Sequence, residues 1–199
     1  MFTLEDGKIA VRMARANIER KLGAKDVIIP KPPESFDSES GVFVTLNTYP
    51  SHQLRGCIGY SEPVMPLKNA ILDASISSAM RDPRFPPVTL KEMASIVVEV
   101  TLLTPPEDIR FENPEDLKDK VIVGKHGLIA RRSFMSGLLL PQVPVEWNWD
   151  VEEFLSHTCR KAGLDPNEWR TGKVHFQRFE GRVFGEISPR GEVSEVELK

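Results

Sequence analysis

Between Val42 and Gly59 the chain reads VFVTLNTYPSHQLRGCIG, and this stretch restricts the fold more narrowly than any other. Val42, Val44 and Leu46 alternate with Phe43, Thr45 and Asn47, the period-two pattern of a strand with one buried face. Tyr49, Pro50, Ser51 and His52 break that run. Leu54–Gly59 then packs an arginine, a cysteine and two glycines into six residues. Gly56 and Gly59 permit positive φ or a close backbone approach, which would turn bare N–H groups toward a bound group. Arg55 offers a planar cation for a carboxylate or phosphate. Cys57, beside a cation, is a candidate thiolate nucleophile. The competing reading is a tightly packed, bulged strand in which Cys57 is a small buried hydrophobe.

The rest of the chain alternates helical and strand patterns. Thr3 and Asp6 read as a helix N-cap with an acidic first turn, and Gly23 as the residue past its end. Between them Ala10, Val11, Ala14, Ile18 and Leu22 form a core stripe, leaving Arg12, Arg15, Glu19 and Arg20 outward. Lys31–Ser40 reads as an exposed loop. Pro66 opens a second helix whose stripe of Leu67, Ala70, Ile71, Ala74 and Ser78 is small enough for close packing. Prolines 83, 86 and 87 then fix a rigid loop carrying Arg81, Asp82 and Arg84. That loop either brings charges toward Arg55 or merely closes itself with an Asp–Arg pair.

Ile96–Leu102 is the clearest strand, with Glu99 and Thr101 on the face opposite Ile96, Val98, Val100 and Leu102. Glu107–Asp119 reads as acidic surface turns and a short helix. Gly124 and Gly127, between Val121–Val123 and Leu128–Arg131, predict a hairpin that either turns the chain or aims Lys125 and His126 at a ligand. Pro141 and Pro144 limit the preceding apolar run to an edge strand or irregular segment. Asp150 and Glu153 form a capping-box pair for a helix through Ala162, ended by Gly163, with Cys159 in its core stripe. Asp165–Arg170 is a capped turn around Trp169. Val174–Ile187 is strand-like with a break at Gly181, and the tail after Ser188 is expected to be loose.

Composition narrows the function classes. A chain of 199 residues can bury a sizeable core. Its net charge of −3 provides no global basic field for nonspecific nucleic-acid binding. Two cysteines make no disulfide framework, no apolar run approaches a bilayer span, and the N-terminus lacks a secretory apolar segment. A cytoplasmic location is the expectation. There is no P-loop, GxGxxG, HExxH, GxSxG or paired-cysteine ribbon. The four histidines are scattered, so the sequence identifies neither a metal site nor a cofactor.

Leu54–Gly59 resembles the signature of the AMMECR family. Asp82-Pro83-Arg84-Phe85, Val97–Pro105, Gly137–Asp150 and Cys159–Gly163 match in the same order. The resemblance implies a single domain of this type over 1–199, built as two intertwined subdomains. It also implies a shared surface of Arg55, Gly56, Cys57, Gly59, Asp82, Arg84, Glu146 and Trp149, and a functional link to Memo-type and radical-SAM proteins. The element pattern gives an α+β fold, a mostly antiparallel sheet with packed helices. The expected subdomains are 1–60 plus 126–199, and 61–125. The reading of function is a cytosolic enzyme or small-ligand-binding protein with its pocket at the signature. Its ligand is a small acidic or phosphorylated molecule, Cys57 is the candidate nucleophile, and His126, His52 or Glu146 is a candidate base. The alternatives are a nucleic-acid or translation-associated module using Arg55, Arg81, Arg84, Arg131 and Arg132, and a protein-interaction scaffold without catalysis.

Overall fold

The structure is a computed structural model that describes residues 2–196. In chain order its elements are α1 (Leu4–Lys21), β1 (Val42–Thr48), β2 (Leu54–Tyr60), α2 (Leu67–Met80), β3 (Ile96–Leu103) and β4 (Glu107–Asp108). They continue with α3 (Leu117–Lys120), β5 (His126–Arg132), β6 (Met135–Leu139), α4 (Gln142–Glu146), α5 (Val151–Lys161), β7 (His175–Glu186) and β8 (Val193–Val196). All the registered strand pairs are antiparallel, and the fold is α+β. Two units form, one running to Thr104 and resuming at Arg182, the other Pro105–Gly181. The inserted piece therefore begins well after the expected 61. The reason is that α2 packs on β1 and β2 and β3 pairs with β1, so both belong to the first unit.

In the first unit the strand order is β2-β1-β3 followed by β7, with β8 on β7. The register sets Val44 opposite both Ile58 and Val100, and Leu46 opposite Gly56 and Val98. Period-two alternation thus collects Val42, Val44, Leu46, Val98, Val100 and Leu102 on one face, all 0% exposed. Burial of each such side chain stabilises the fold by roughly 1.5–3 kcal/mol. The helices α1 and α2 contribute Ala10, Val11, Ala14, Ile18, Leu67, Ala70, Ile71 and Ala74 to the same core. Thr3 and Asp6 form the capping box of α1, and Gly23 follows its end at φ +94°.

Three expectations for this unit are corrected. Arg15 and Glu19 are inside, not outward. The Arg15 guanidinium donates to both Glu186 carboxylate oxygens at 2.5 Å, to Glu19 at 3.0 Å, and to the Met93 and Ile96 carbonyls. A buried arginine survives here because every side of the fork is answered. The Lys31–Ser40 stretch contains a short 3₁₀ turn, Glu34–Asp37, that buries Phe36 completely. The tail after Ser188 is not loose up to Val196: β8 pairs with β7, and Val193 is 2% exposed. Its last residues, 197–199, lie outside the described residues.

In the second unit β5 pairs with β6 and with the first half of β7, and β4 also lies on β7. The expected hairpin across Gly124–Gly127 does not form. Val121–Val123 is not a strand, and the tight reversal instead joins β5 to β6 through Ser133, at φ +55°, and Phe134. The edge strand β6 carries Gly137, where a Cβ would lie 2.2 Å from the Ala162 amide nitrogen; glycine lets the end of α5 approach. Asp150 and Glu153 cap α5 reciprocally, Gly163 ends it at φ +77°, and Phe154, Leu155, Thr158 and Cys159 are buried beneath it. Trp169 is 0% exposed and donates its indole N–H to Ser156 at 3.1 Å. No break occurs in β7 at Gly181; the strand is continuous, and the chain passes there from the second unit into the first.

Candidate functional site

The signature is itself a strand, β2, at the end of the first unit's strand order. Its pairing with β1 shifts between Leu46 and Asn47: Gly56 faces Leu46 and Leu54 faces Asn47, so Arg55 is the extra, bulged residue. The bulge re-aims Arg55 toward Glu92, which accepts from Nε and Nη2 at 3.2 and 3.1 Å. The remaining Nη1 is buried without a hydrogen bond. Phe85 lies beneath both Arg55 and Arg84, 5.9 and 5.5 Å from their guanidinium carbons.

The glycines serve close packing. Neither Gly56 nor Gly59 has a positive φ. A Cβ at Gly56 would sit 2.2 Å from the Ser78 carbonyl oxygen of α2, and one at Gly59 would sit 2.1 Å from the Val42 carbonyl oxygen. Nor are the N–H groups beside them bare. Cys57 N–H donates to Asp82 at 2.9 Å, and Ile58 N–H donates to the Ser78 hydroxyl at 2.9 Å.

Asp82 and Arg84 together behave as a partner strand for the open edge of β2. Asp82 accepts the Cys57 N–H, and Arg84 donates to the Cys57 carbonyl at 3.2 Å. Arg84 also donates its own N–H, Nε and Nη2 to Asp82 at 3.1, 2.9 and 2.7 Å. An edge strand left open would recruit other chains, and this pair closes it. Arg84 and the two amides hold the Asp82 carboxyl well below the usual carboxylate range, against the opposing effect of burial.

The opposite, non-core face of the strands is different. Cys57, Thr45 and Glu99 are register partners across β2, β1 and β3, forming one row. Thr45 donates its hydroxyl to the Cys57 sulfur at 3.2 Å. Burial pushes the Cys57 thiol up, outweighing the Thr45 hydrogen bond and the Arg84 charge, so the resting group is a thiol and not the thiolate that the neighbouring arginines suggest. Glu99 is half-buried and, among the described residues, has neither a hydrogen bond nor an ion pair. Burial raises its pKa, partly offset by the charge of His52. Period-two alternation puts Glu99 and Thr45 on this face without marking either as a site residue. The available signal was a glutamate at the centre of an otherwise apolar strand.

His126, Glu146 and Trp149 belong to the second unit. His126 is 4% exposed, and its Nδ1 accepts the Ile122 N–H at 3.0 Å. Burial, then the nearby Arg178 charge, lowers its pKa, so it sits as a neutral ring whose Nδ1 is committed to the turn. Glu146 is exposed at the end of α4. Trp149 stacks on His157, centroids 3.8 Å apart and planes 4° from parallel, with Trp147 stacked beyond it at 6.2 Å. Cys159 is fully buried, and burial drives its thiol to about 11. Among the described residues no group of three or more His, Cys, Asp or Glu is placed to hold a metal, and no helix is long and apolar enough to cross a membrane.

A closed edge at an Arg-Gly-Cys strand, a polar row behind it and an α+β frame define a class of protein, and comparison with known families gives that class a name. The AMMECR1 family model matches residues 11–184. Protein MJ0810 of Methanocaldococcus jannaschii is 54% identical over 198 residues, covering 100% of this chain and 98% of its own. Protein PH0010 of Pyrococcus horikoshii is 48% identical over 206 residues, covering 100% and 99%. A crystal structure of that Pyrococcus protein superimposes with a TM-score of 0.78 at 48% identity, covering 97% of each chain. The chain belongs to the AMMECR1 family.

Proposed function

We propose that this protein binds a small molecule on the polar face of β1, β2 and β3, across the row Cys57–Thr45–Glu99. One observation carries the reading: Glu99 is a half-buried carboxyl with no hydrogen bond or ion pair among the described residues. Leaving such a group unanswered costs stability, and a carboxyl perturbed by desolvation in this way is a candidate for a functional site. Binding ranks ahead of nucleophilic catalysis. Cys57 rests as a thiol, and its nearby amides already have acceptors. Glu99 stands two strands from Cys57 in the row, and its charge opposes ionisation of the thiol. The free thiols Cys57 and Cys159 fit a reducing, cytoplasmic compartment.

An acidic or phosphorylated ligand is the second reading, favoured by the unanswered Nη1 of Arg55. It would share Arg55 with Glu92, or displace Asp82 from Arg84. Nucleic-acid binding is weaker still, because Arg55, Arg81, Arg84 and Arg132 each face a carboxylate. The test is a thermal-shift screen against nucleotides, phosphorylated metabolites, carboxylates, amines, metals and short RNA. A saturable shift lost in Thr45→Val or Glu99→Gln supports the face as the site. A shift weakened only by Arg55→Ala moves the site to the bulge. Unchanged melting across the panel removes the small-molecule reading and leaves the scaffold.

A further inference from the structure

We infer that the molecule bound on this face carries a positive charge, an ammonium or amidinium group seated on Glu99. The inference rests on the reading of the Cys57–Thr45–Glu99 row as the binding site. The charge inventory of the first unit leads to it. Arg55 is ion-paired with Glu92, though its Nη1 has no hydrogen bond, Arg84 with Asp82, Arg81 with Asp73, and Arg15 with Glu186 and Glu19. Among the described residues of the row, Glu99 is the charge without a hydrogen bond or ion pair; His52 acts on it through space, while the paired Arg84 and Asp82 act on Cys57. The other side chains in register on that face, Phe43, Thr45, Asn47, Cys57, Val97 and Thr101, are neutral.

An anion would meet a like charge there, and a neutral molecule would leave the carboxylate unpaired. A cation instead stabilises the ionised form of Glu99, against the effect of burial, and forms a charge-assisted hydrogen bond with it. Two further features suit such a group. The Phe43 ring lies over Gly59, where a Cβ would be 2.7 Å from Cδ1, and gives the face an aromatic surface next to Cys57. On the other flank Gly185 of β7 gives the Glu99 side chain its place: an added Cβ would stand 3.3 Å from Val196 Cγ2, 3.6 Å from Glu99 Cγ and 3.7 Å from Oε2.

The experiment is calorimetric titration of the full chain with putrescine, agmatine and spermidine, set against 1,4-butanediol and succinate. Saturable binding of at least one amine is expected, weakened by added salt and by roughly tenfold or more in Glu99→Gln. Amine binding that Glu99→Gln leaves intact overturns both the inference and the site. Binding of the diol or succinate alone, lost in Thr45→Val or Cys57→Ser, overturns the charge while the site stands. Absence of saturable binding by all three amines and both controls overturns the inference and counts against the site.

Discussion

Two carboxylates in the first unit meet opposite fates. At the edge of β2, Asp82 is 4% exposed and accepts four hydrogen bonds, from the Cys57 amide and from the Arg84 amide, Nε and Nη2. On the non-core face of β3, Glu99 is half-buried and accepts none among the described residues. The edge is finished structure, in which each polar atom of Cys57's backbone has its partner. The face is unfinished, and the proposed binding site rests on that difference. The signature residues thus divide: Gly56, Gly59, Asp82 and Arg84 hold the strand in place, while Cys57 presents its side chain to the row that Thr45 and Glu99 continue.

The largest effect is expected at the edge's foundation. Gly56→Ala drives a Cβ into the Ser78 carbonyl and pushes α2 from β2, costing about 3 kcal/mol in denaturant unfolding. Asp82→Asn removes the charge that unites the clamp and costs about 2 kcal/mol at neutral pH. Because the folded Asp82 carboxyl titrates below its unfolded counterpart, its contribution is complete above the unfolded value near 3.9 and is lost as pH falls. The gap between wild type and Asp82→Asn should therefore close in acid. Thiol labelling separates the two units: an alkylating reagent on the native protein modifies half-buried Cys57 and spares Cys159, seen by peptide mass. Cys57→Ser should change stability by less than about 1 kcal/mol, since Thr45 retains a hydrogen-bond partner.

Local chemistry was legible in the sequence. Thr3 with Asp6 and Asp150 with Glu153 cap their helices as their spacing demands, and the alternation of Ile96–Leu102 assigns its faces correctly. The α+β class and the family followed from such signals. Long-range pairing was not legible. Arg15 looks like a surface residue until Glu186, 171 positions away, closes a buried ion pair on it. The tail after Ser188 becomes a strand only because β7 is there to pair with it. The candidate site was half visible: the spacing marked Arg55 and Cys57, and the proline-fixed loop did arrive beside them. What the glycines are for depended on Ser78 and Val42, and the role of Glu99 depended on the absence of a partner. No local pattern encodes an absence.

The face, unlike the edge, carries a carboxyl with no hydrogen bond or ion pair among the described residues, and melting of wild type and Glu99→Gln across pH tests this difference without knowing the ligand. Burial raises the folded Glu99 pKa above its unfolded value, so ionisation destabilises the fold as pH rises through the folded value. Glu99→Gln is expected to melt higher than wild type at pH 7.5, by ~3 °C for about 1 kcal/mol. The two proteins should converge near pH 4, below the unfolded value of about 4.3. A variant that melts at or below wild type at pH 7.5 would mean that Glu99 is already satisfied within the protein, and the face would lose its claim to be a binding site.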